Sequence, residues 1–330
     1  QRLQNVMTSG TSRMPRVWVL LASRRQEFAF RERMIAELSP TNAAFFNVEF
    51  FNFYQLNNRL LNLAGQPPFR INEAARMAIL RRVVDDLVQQ SDLRIYDRIA
   101  TTAGFLRAIA SLIDELKQNR VFPEQFSQAA QTAKDHDLAQ IYSDYQLALQ
   151  RHHLADREGE AWLALEAVEN DPELVSDLDL LLVDGYDQFT PVQAALIAEL
   201  SSQAGQTVIT LTALPADAHR IGLRFQRAFD RLRQAHEARD LSLIAENLPT
   251  STPVTRASDL EHISKTLFTA DGGIPASGAI HLIEAPEPAE ETAAVLRSVK
   301  AHIMQHQRLL QWQLCSFWLA HCAEVNVPAG

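Results

Sequence analysis

Short apolar runs and amphipathic helical patterns alternate along the chain. Buried strands are indicated by RVWVLLA (16–22), DLLLVDG (179–185) and QTVITLTAL (206–214), and NVEFFNFYQL (47–56) reads as a strand followed by a turn. A helical pattern with a polar start follows the first of these runs over 23–38, and its apolar positions are Phe28, Met34, Ile35 and Leu38. Strands separated by helices are typical of a parallel sheet with helices on its faces. We therefore predict an α/β fold.

One long stretch of almost purely helical pattern interrupts this alternation. It covers about residues 72–169 and includes NEAARMAILRRVVDDLVQQ and TAGFLRAIASLIDELKQNRV. We predict that it forms an all-helical insertion over 71–170. The insertion separates the first part of the α/β core, 1–70, from the second part, 171–250.

The last part of the chain, 251–330, follows a linker that contains Pro, Ser and Thr near 247–258. GAIHLIEAP (278–286) has the pattern of a strand, and PAEETAAVLRSVKAHIMQHQ (288–307) has that of an amphipathic helix. These two elements predict the start of a second α/β domain.

Composition adds that the chain is globular and unevenly charged. With 330 residues and 47% hydrophobic content it can bury a substantial core. The net charge is −9, but residues 1–120 carry +6 and the remainder −15. Only four of the 31 basic residues are lysines. Arginine dominance suits bidentate recognition of phosphate, although a GC-rich genome would give the same bias, and both explanations stay open.

Membrane and redox chemistry are disfavoured. No apolar run approaches the length of about 18 residues that spans a bilayer, and the N-terminus lacks a signal-peptide pattern, so we expect a cytoplasmic protein with no membrane partner. Cys315 and Cys322 are the only cysteines, too few for a disulfide framework or a four-cysteine metal site. The neighbouring His152 and His153 would point to different sides of a helix, and we predict no metal site in this chain.

The run DLDLLLVDGYDQFTP ends a predicted strand in an acidic residue, Asp184. In nucleotide-hydrolysing folds such a carboxylate holds Mg²⁺, and a second acidic residue positions the attacking water. Here Gly185 occupies the second position, and no G-x-x-x-x-G-K-[ST] phosphate loop occurs. We therefore predict that Asp184 is a vestigial nucleotide and magnesium position, that the chain alone holds no cofactor, and that Asp187 caps a turn.

Several segments together resemble one family. VLLASRRQEFAFRERM is similar to the segment after the second core strand of superfamily 1 helicases. The closer resemblance is to the AddB-type subunit of bacterial ATP-dependent helicase-nucleases, over about residues 16–300. It is carried by ASRRQEFAFRERM (22–34), AGFLRAIASLIDELKQNRVFPEQF (103–126), LLLVDGYDQFTPVQAALIAEL (180–200) and HLIEAPEPAEETAAVLRSV (281–299).

This resemblance implies a P-loop helicase-like sheet that has lost motor function. It implies a role in processing double-strand DNA ends for recombinational repair, with DNA and a motor subunit of the A type as partners. In the intact family ATP and Mg²⁺ bind a phosphate loop, which we expect upstream of this chain. Beyond about residue 306 the resemblance ends, so we expect truncation at both ends.

Contacts with a DNA strand are predicted at Ser23, Arg24, Arg25 and Gln26, where side chains and helix N-terminal amides could meet phosphates. Phe53 and Tyr54 are candidate base-stacking residues at a strand end. The alternatives are that the arginines are simply solvated and that the aromatic rings belong to the core. At the level of function, an active ATP-dependent helicase and a structural scaffold that docks a motor subunit also stay open, so enzymatic activity of the chain is undecided.

Overall fold

The computed structural model of the chain describes residues 14–38, 47–65, 67–211, 219–246, 257–266 and 272–306. The chain divides into two compact units, Gln1–Leu248 and Pro249–Gly330. The strands within the described ranges are β1 (Val17–Leu21), β2 (Val48–Phe51), β3 (Phe69–Arg70), β4 (Leu154–Ala155), β5 (Leu180–Asp184) and β6 (Gln206–Ile209). The helices of the same ranges are α1 (Arg24–Leu38), α2 (Phe53–Leu63), α3 (Glu73–Gln90), α4 (Ala103–Gln118), α5 (Pro123–Ala129), α6 (Ala133–Arg151), α7 (Arg157–Asn170), α8 (Pro191–Gln203), α9 (His219–Glu237), α10 (Ser258–Thr266) and α11 (Pro288–His306).

Four parallel strands form the main sheet in the order β2-β1-β5-β6. β1 and β5 are the central pair, with Val17 opposite Leu180 and Leu21 opposite Asp184. Every residue of β1 is buried, which is why its sequence is a continuous apolar run and does not alternate with polar residues. The predicted class, an α/β fold with a parallel sheet, is confirmed.

The connections leave the central pair of strands in opposite directions. β1 leads through α1 to β2 on one side, and β5 leads through α8 to β6 on the other. The strand order therefore reverses between β1 and β5. The carboxyl ends of these two strands border a topological switch point, the place where open α/β sheets bind ligands.

The two faces of the sheet are covered differently. α2, α7, α8 and α9 join the larger apolar cluster on one face, which contains Trp18 and Leu20 of β1. On the other face, the smaller cluster of β1 and β5 residues packs against Phe30 of α1.

The apolar positions predicted for α1 are only partly buried. Met34 is buried, whereas Phe28 and Ile35 are 53% and 52% exposed, and the side chain of Leu38 lies outside the described part. A helix that covers the edge of a small cluster needs fewer apolar contacts than the sequence pattern suggested.

β2 ends one residue before α2 begins. The Asn52 side chain accepts a hydrogen bond from the Gln55 amide at 3.0 Å, and the Gln55 side chain accepts one from the Asn52 amide at 2.9 Å. This capping box starts the helix at Phe53. The predicted strand and turn over 47–56 is therefore a strand that ends at Phe51, followed directly by a helix.

The insertion has a core of its own, built mainly by α3, α4 and α6. Leu80, Ile113 and Tyr145 are buried there, one from each of these helices. The prediction that the insertion is wholly helical is wrong in one detail, because β3 and β4 form a short parallel ladder at its stem. The segments that enter and leave the insertion run side by side, and pairing satisfies their backbone groups.

The packing of α7 assigns this helix to the sheet. Ala164, Leu165 and Val168 belong to the same cluster as Trp18, although the sequence pattern gave this helix to the insertion. A helical period reveals that a helix has a buried face, but it does not reveal which neighbour covers that face.

The described part of the second unit contains two helices, α10 and α11, and no strand. The predicted strand over 278–286 is wrong, because no neighbouring strand pairs with these residues within the described ranges. The carboxylate of Asp259 on α10 accepts hydrogen bonds from the Ser277 and Ala279 amides at 3.1 and 3.2 Å. The start of a second α/β domain here stays a prediction.

Candidate functional site

The switch point brings together residues from the ends of β1 and β5. We call Ser23, Arg24, Arg25, Gln26, Asp184 and Gly185 the strand-end site. Ser23 precedes α1, whose first residues are Arg24, Arg25 and Gln26. Asp184 is the last residue of β5, and Gly185 follows it. The pairing of Leu21 with Asp184 sets the ends of β1 and β5 side by side. Four residues predicted to contact DNA and the predicted vestigial metal position thus share one edge of the sheet.

The start of α1 is fixed by hydrogen bonds from its own residues. The Ser23 hydroxyl accepts from the Gln26 amide at 3.3 Å, as an N-cap residue does. The Gln26 side chain accepts from the Ser23 hydroxyl at 3.1 Å and donates through Nε2 to the carbonyl of Gly185 at 3.3 Å. Arg24 and Arg25 are exposed and form no ion pair with any residue in the described part of the chain. Two free guanidinium groups therefore stand at the N-terminus of a helix, where anions are favoured.

Gly185 is required by the backbone at the end of β5. Its φ is +79°, in the left-handed region that side chains disfavour, and a Cβ here would clash with Gln26 Nε2. A glutamate at this position would therefore displace Gln26. Glycine follows Asp184 because a residue without a side chain leaves space for the Gln26 contact.

The neighbouring side chains anchor the ends of β5 and β1. Asp184 Oδ1 accepts a hydrogen bond from the Thr210 hydroxyl, which follows β6. The Tyr186 hydroxyl donates to the carbonyl of Leu21 at 2.8 Å, and burial raises the pKa of this phenol well above its usual range. Asp184 thus takes part in contacts that tie neighbouring strands together.

The two aromatic candidates lie in different environments. Phe53 is 6% exposed, and its ring packs edge-on against Tyr186 and Phe189 with centroids 5.0 and 6.4 Å apart. Phe53 therefore belongs to the core, and its ring offers no free face to a base. Tyr54 has the guanidinium of Arg157 over its ring at 3.9 Å.

Tyr54 also borders a cavity of about 510 Å³ between the sheet-covering helices and the insertion. We call it the junction cavity. Arg76 on its wall donates to Asp114 Oδ1 at 2.8 Å and to Glu73 Oε2 at 3.1 Å. Burial works against the charge of Arg76, but the two carboxylates outweigh it and raise the pKa of the guanidinium. Burial raises the pKa of Glu158, which accepts a hydrogen bond from Gln118 at 3.3 Å.

Sequence reasoning missed this cavity and a buried ion pair between α4 and the N-cap residue of α7. Lys117 Nζ lies 2.8 Å from Asp156 Oδ2, and the exposures of the two side chains are 0% and 2%. One signal could have revealed the lysine. Lys117 continues the helical spacing of Leu106, Ala110 and Ile113 along the buried face of α4, and a charge on a buried face requires a partner.

Among the described residues, no three His, Cys, Asp or Glu side chains are grouped so that they could hold a metal ion. Over the same part of the chain, no helix combines the length and the apolar character needed to cross a bilayer.

Comparison with known proteins identifies relatives along most of the chain. The B subunit of the ATP-dependent helicase/deoxyribonuclease from Pelotomaculum thermopropionicum is 23% identical over 308 residues, which are 86% of this chain and 26% of that protein. The corresponding B subunits from Natranaerobius thermophilus and Listeria monocytogenes are 23% and 27% identical over 184 and 183 residues, in each case 52% of this chain and 15% of the relative. The chain thus aligns with only 15–26% of the length of these relatives. Residues 20–264 match the family described as "ADDB, N-terminal". Because this match covers most of the chain, the chain belongs to the ADDB N-terminal family.

Proposed function

We propose that this chain is a DNA-binding module of an AddB-type subunit whose helicase-like sheet no longer acts as a motor. Its role is the processing of double-strand DNA ends for recombinational repair. The relatives share the name of a B subunit of an ATP-dependent helicase/deoxyribonuclease, which supports DNA as the substrate and a second subunit as a partner. A motor subunit of the A type is the partner in this proposal, and a single strand or a strand end is the ligand.

The strand-end site carries the proposal. Arg24 and Arg25 are exposed and free of ion pairs within the described part of the chain, and they stand at the switch point of the sheet. Guanidinium groups and N-terminal amides are the groups with which proteins hold phosphates. Gln26 is held by Gly185, so this segment is ordered before a strand arrives.

The loss of motor function is proposed from the end of β5. Asp184 is the one carboxylate of the strand-end site, and it already accepts a hydrogen bond from Thr210. Gly185 stands where a water-positioning glutamate would be needed; its left-handed backbone disfavours any side chain, and a glutamate would displace Gln26. These residues alone do not fit a magnesium nucleotide, so the proposal contains no hydrolytic step.

The test compares single-strand binding by two paired arginine variants. We expect Arg24→Ala with Arg25→Ala to weaken binding of a fluorescent oligothymidylate about tenfold at low salt, because two guanidinium groups no longer hold phosphates. Arg81→Ala with Arg82→Ala removes the same charge from an exposed stretch of α3 and should change the affinity less than about twofold.

The other functions would show themselves in the same assays. If the parent chain does not bind single strands at low salt but co-purifies with a helicase-nuclease subunit, the scaffold function replaces this proposal. Rapid DNA-stimulated ATP turnover that Asp184→Ala abolishes would instead establish an active motor. We expect neither result.

A further inference from the structure

α1 presents a phenylalanine on the side that is turned away from the sheet. Phe30 packs against the smaller cluster of β1 and β5 residues, and Met34, one turn later, is buried. Phe28 precedes Phe30 by two residues, so its side chain leaves the helix about 200° away round the axis. The Phe28 ring is 53% exposed, and no aromatic ring or guanidinium group in the described part of the chain packs against it. This ring therefore has a free face.

The helical neighbours of this ring are the two arginines of the strand-end site. Arg24 and Arg25 precede Phe28 by four and three residues, the spacings at which side chains are neighbours on a helix surface, with about 5–6 Å between their Cβ atoms. Long and aromatic side chains of a helix lean toward its N-terminus, so the Phe28 ring lies over the turn that carries both arginines. Both guanidinium groups are exposed and lack an ion pair within the described ranges.

The acidic residue of the same turn, Glu27, is neutralised. Its Oε1 lies 2.7 Å from the guanidinium of Arg31, which also lies over the ring of Phe50 at 4.4 Å. Residues 24–33 contain four arginines and two glutamates, which gives this stretch a formal net charge of +2. The surface around the free ring is therefore positive and favours a polyanion over an acidic or neutral small molecule.

The other exposed phenylalanines of the described ranges have different surroundings. Phe122 packs against the ring of Trp162, with centroids 4.7 Å apart. Phe69 is 73% exposed on β3, but its neighbour Arg70 is engaged by a buried carboxylate at 3.3 Å. A free ring beside unpaired cations is the arrangement with which proteins hold single strands, because bases stack on the ring while the cations meet the phosphates.

We propose that Phe28 stacks on an unpaired base of a DNA strand whose phosphates meet Arg24 and Arg25. The inference rests on the proposed function, and it adds that the strand-end site selects single strands. In a duplex the bases stack on one another, and freeing the face of one base requires unstacking it. Phe28 thus takes the stacking role that the sequence pattern gave to Phe53, whose ring is buried in the core.

Fluorescence anisotropy with three probes tests this contact on the full chain. The probes are an oligothymidylate, an abasic strand of the same length, which keeps the phosphates but lacks the bases, and a duplex. The parent chain should bind the oligothymidylate about tenfold more tightly than the abasic strand, the gain expected for one stacked base. Phe28→Ala should remove this preference, and Phe28→Tyr should retain it. Phe69→Ala, at an exposed phenylalanine of the insertion stem, should bind as the parent chain does.

Salt dependence separates this inference from the proposed function. Stacking neutralises no phosphate, so Phe28→Ala should leave the slope of log affinity against log salt unchanged, whereas loss of Arg24 and Arg25 lowers it. Far-ultraviolet circular dichroism reports whether each variant is folded.

Three results would overturn the stacking contact. The first is a parent chain that binds the abasic strand or the duplex as tightly as the oligothymidylate. This result would leave the phosphate contacts of the proposed function standing. The second is equal affinity of Phe28→Ala and Phe69→Ala for the oligothymidylate. The third is normal strand binding by Phe28→Ala and Ile35→Ala together with loss of co-purification with a helicase-nuclease subunit, which would assign the exposed face of α1 to a protein partner.

Discussion

Replacing Asp156 by Asn should destabilise the first unit more than any single substitution at its surface. Asp156 accepts from Lys117 Nζ at 2.9 and 2.8 Å, from the Tyr145 hydroxyl at 2.9 Å and from the Gly159 amide at 2.7 Å. These partners lie on α4, α6 and α7, so one carboxylate joins two helices of the insertion to a helix that covers the sheet. Asparagine keeps the shape of the side chain but removes the charge that balances Lys117.

The expected cost follows from burial. Removing one partner of a buried ion pair leaves an uncompensated charge and costs about 3–5 kcal/mol. Burial raises the pKa of Asp156, but the charge of Lys117 and the hydrogen bonds outweigh it and hold the pKa below its usual range. Burial lowers the pKa of Lys117, and Asp156 opposes that shift. Without Asp156 the pKa of Lys117 should fall further.

The variant should also show a stronger pH dependence than the parent chain, of known sign. With the pKa of Lys117 lower in the folded than in the unfolded state, the unfolded chain binds more protons between these two values. The free energy of unfolding of Asp156→Asn should therefore rise with pH in this window, by at most about 1.4 kcal/mol per pH unit, up to about pH 10.

Urea denaturation followed by far-ultraviolet circular dichroism at several pH values measures both effects. Combining Asp156→Asn with Lys117→Met should recover part of the loss and abolish the added pH dependence, because no buried ammonium remains. A loss below about 1 kcal/mol at pH 7, or a stability that does not rise with pH relative to the parent chain, would refute the reasoning.

Two further substitutions test local contacts. Gly185→Ala should lower the free energy of unfolding by about 1–2 kcal/mol in the same assay, because its backbone is left-handed, and should displace Gln26. Ala161→Gly, the reverse exchange within a helix, is the comparison at a position with ordinary backbone. Asp137→Ala should cost about 2–4 kcal/mol and speed hydrogen exchange of the amides of residues 94–96, because the buried Asp137 carboxylate accepts from all three; unchanged exchange there would show that the carboxylate does not hold this loop.

The sheet was accessible from the sequence because β1 is fully buried and β5 is largely buried. The apolar runs around Val19 and Leu181 have no polar alternation, and the helices between the strands have clear periods. The insertion was accessible because its helices also have clear periods. The predicted strand over 278–286 failed because an apolar run specifies a strand only where a neighbour pairs with it.

The strand-end site was partly accessible and the junction cavity was not. Ser23 and Gln26 follow one strand directly and Asp184 ends another, so parallel pairing at a switch point places them together. The contact between Gln26 and Gly185 depends on a side-chain geometry that no residue pattern encodes. The cavity arises where Tyr54 and Arg157 meet from segments about a hundred residues apart, which only the packing of the insertion determines.

The salt dependence of single-strand binding tests the central claim most directly. Each phosphate that a protein neutralises on a single strand contributes about 0.7 to the slope of log affinity against log salt. The strand-end site predicts that Arg24→Ala with Arg25→Ala lowers this slope by about 0.7 for each arginine that no longer meets a phosphate, while Arg81→Ala with Arg82→Ala leaves it unchanged. Equal slopes for the two double variants would contradict the assignment of the strand-end site.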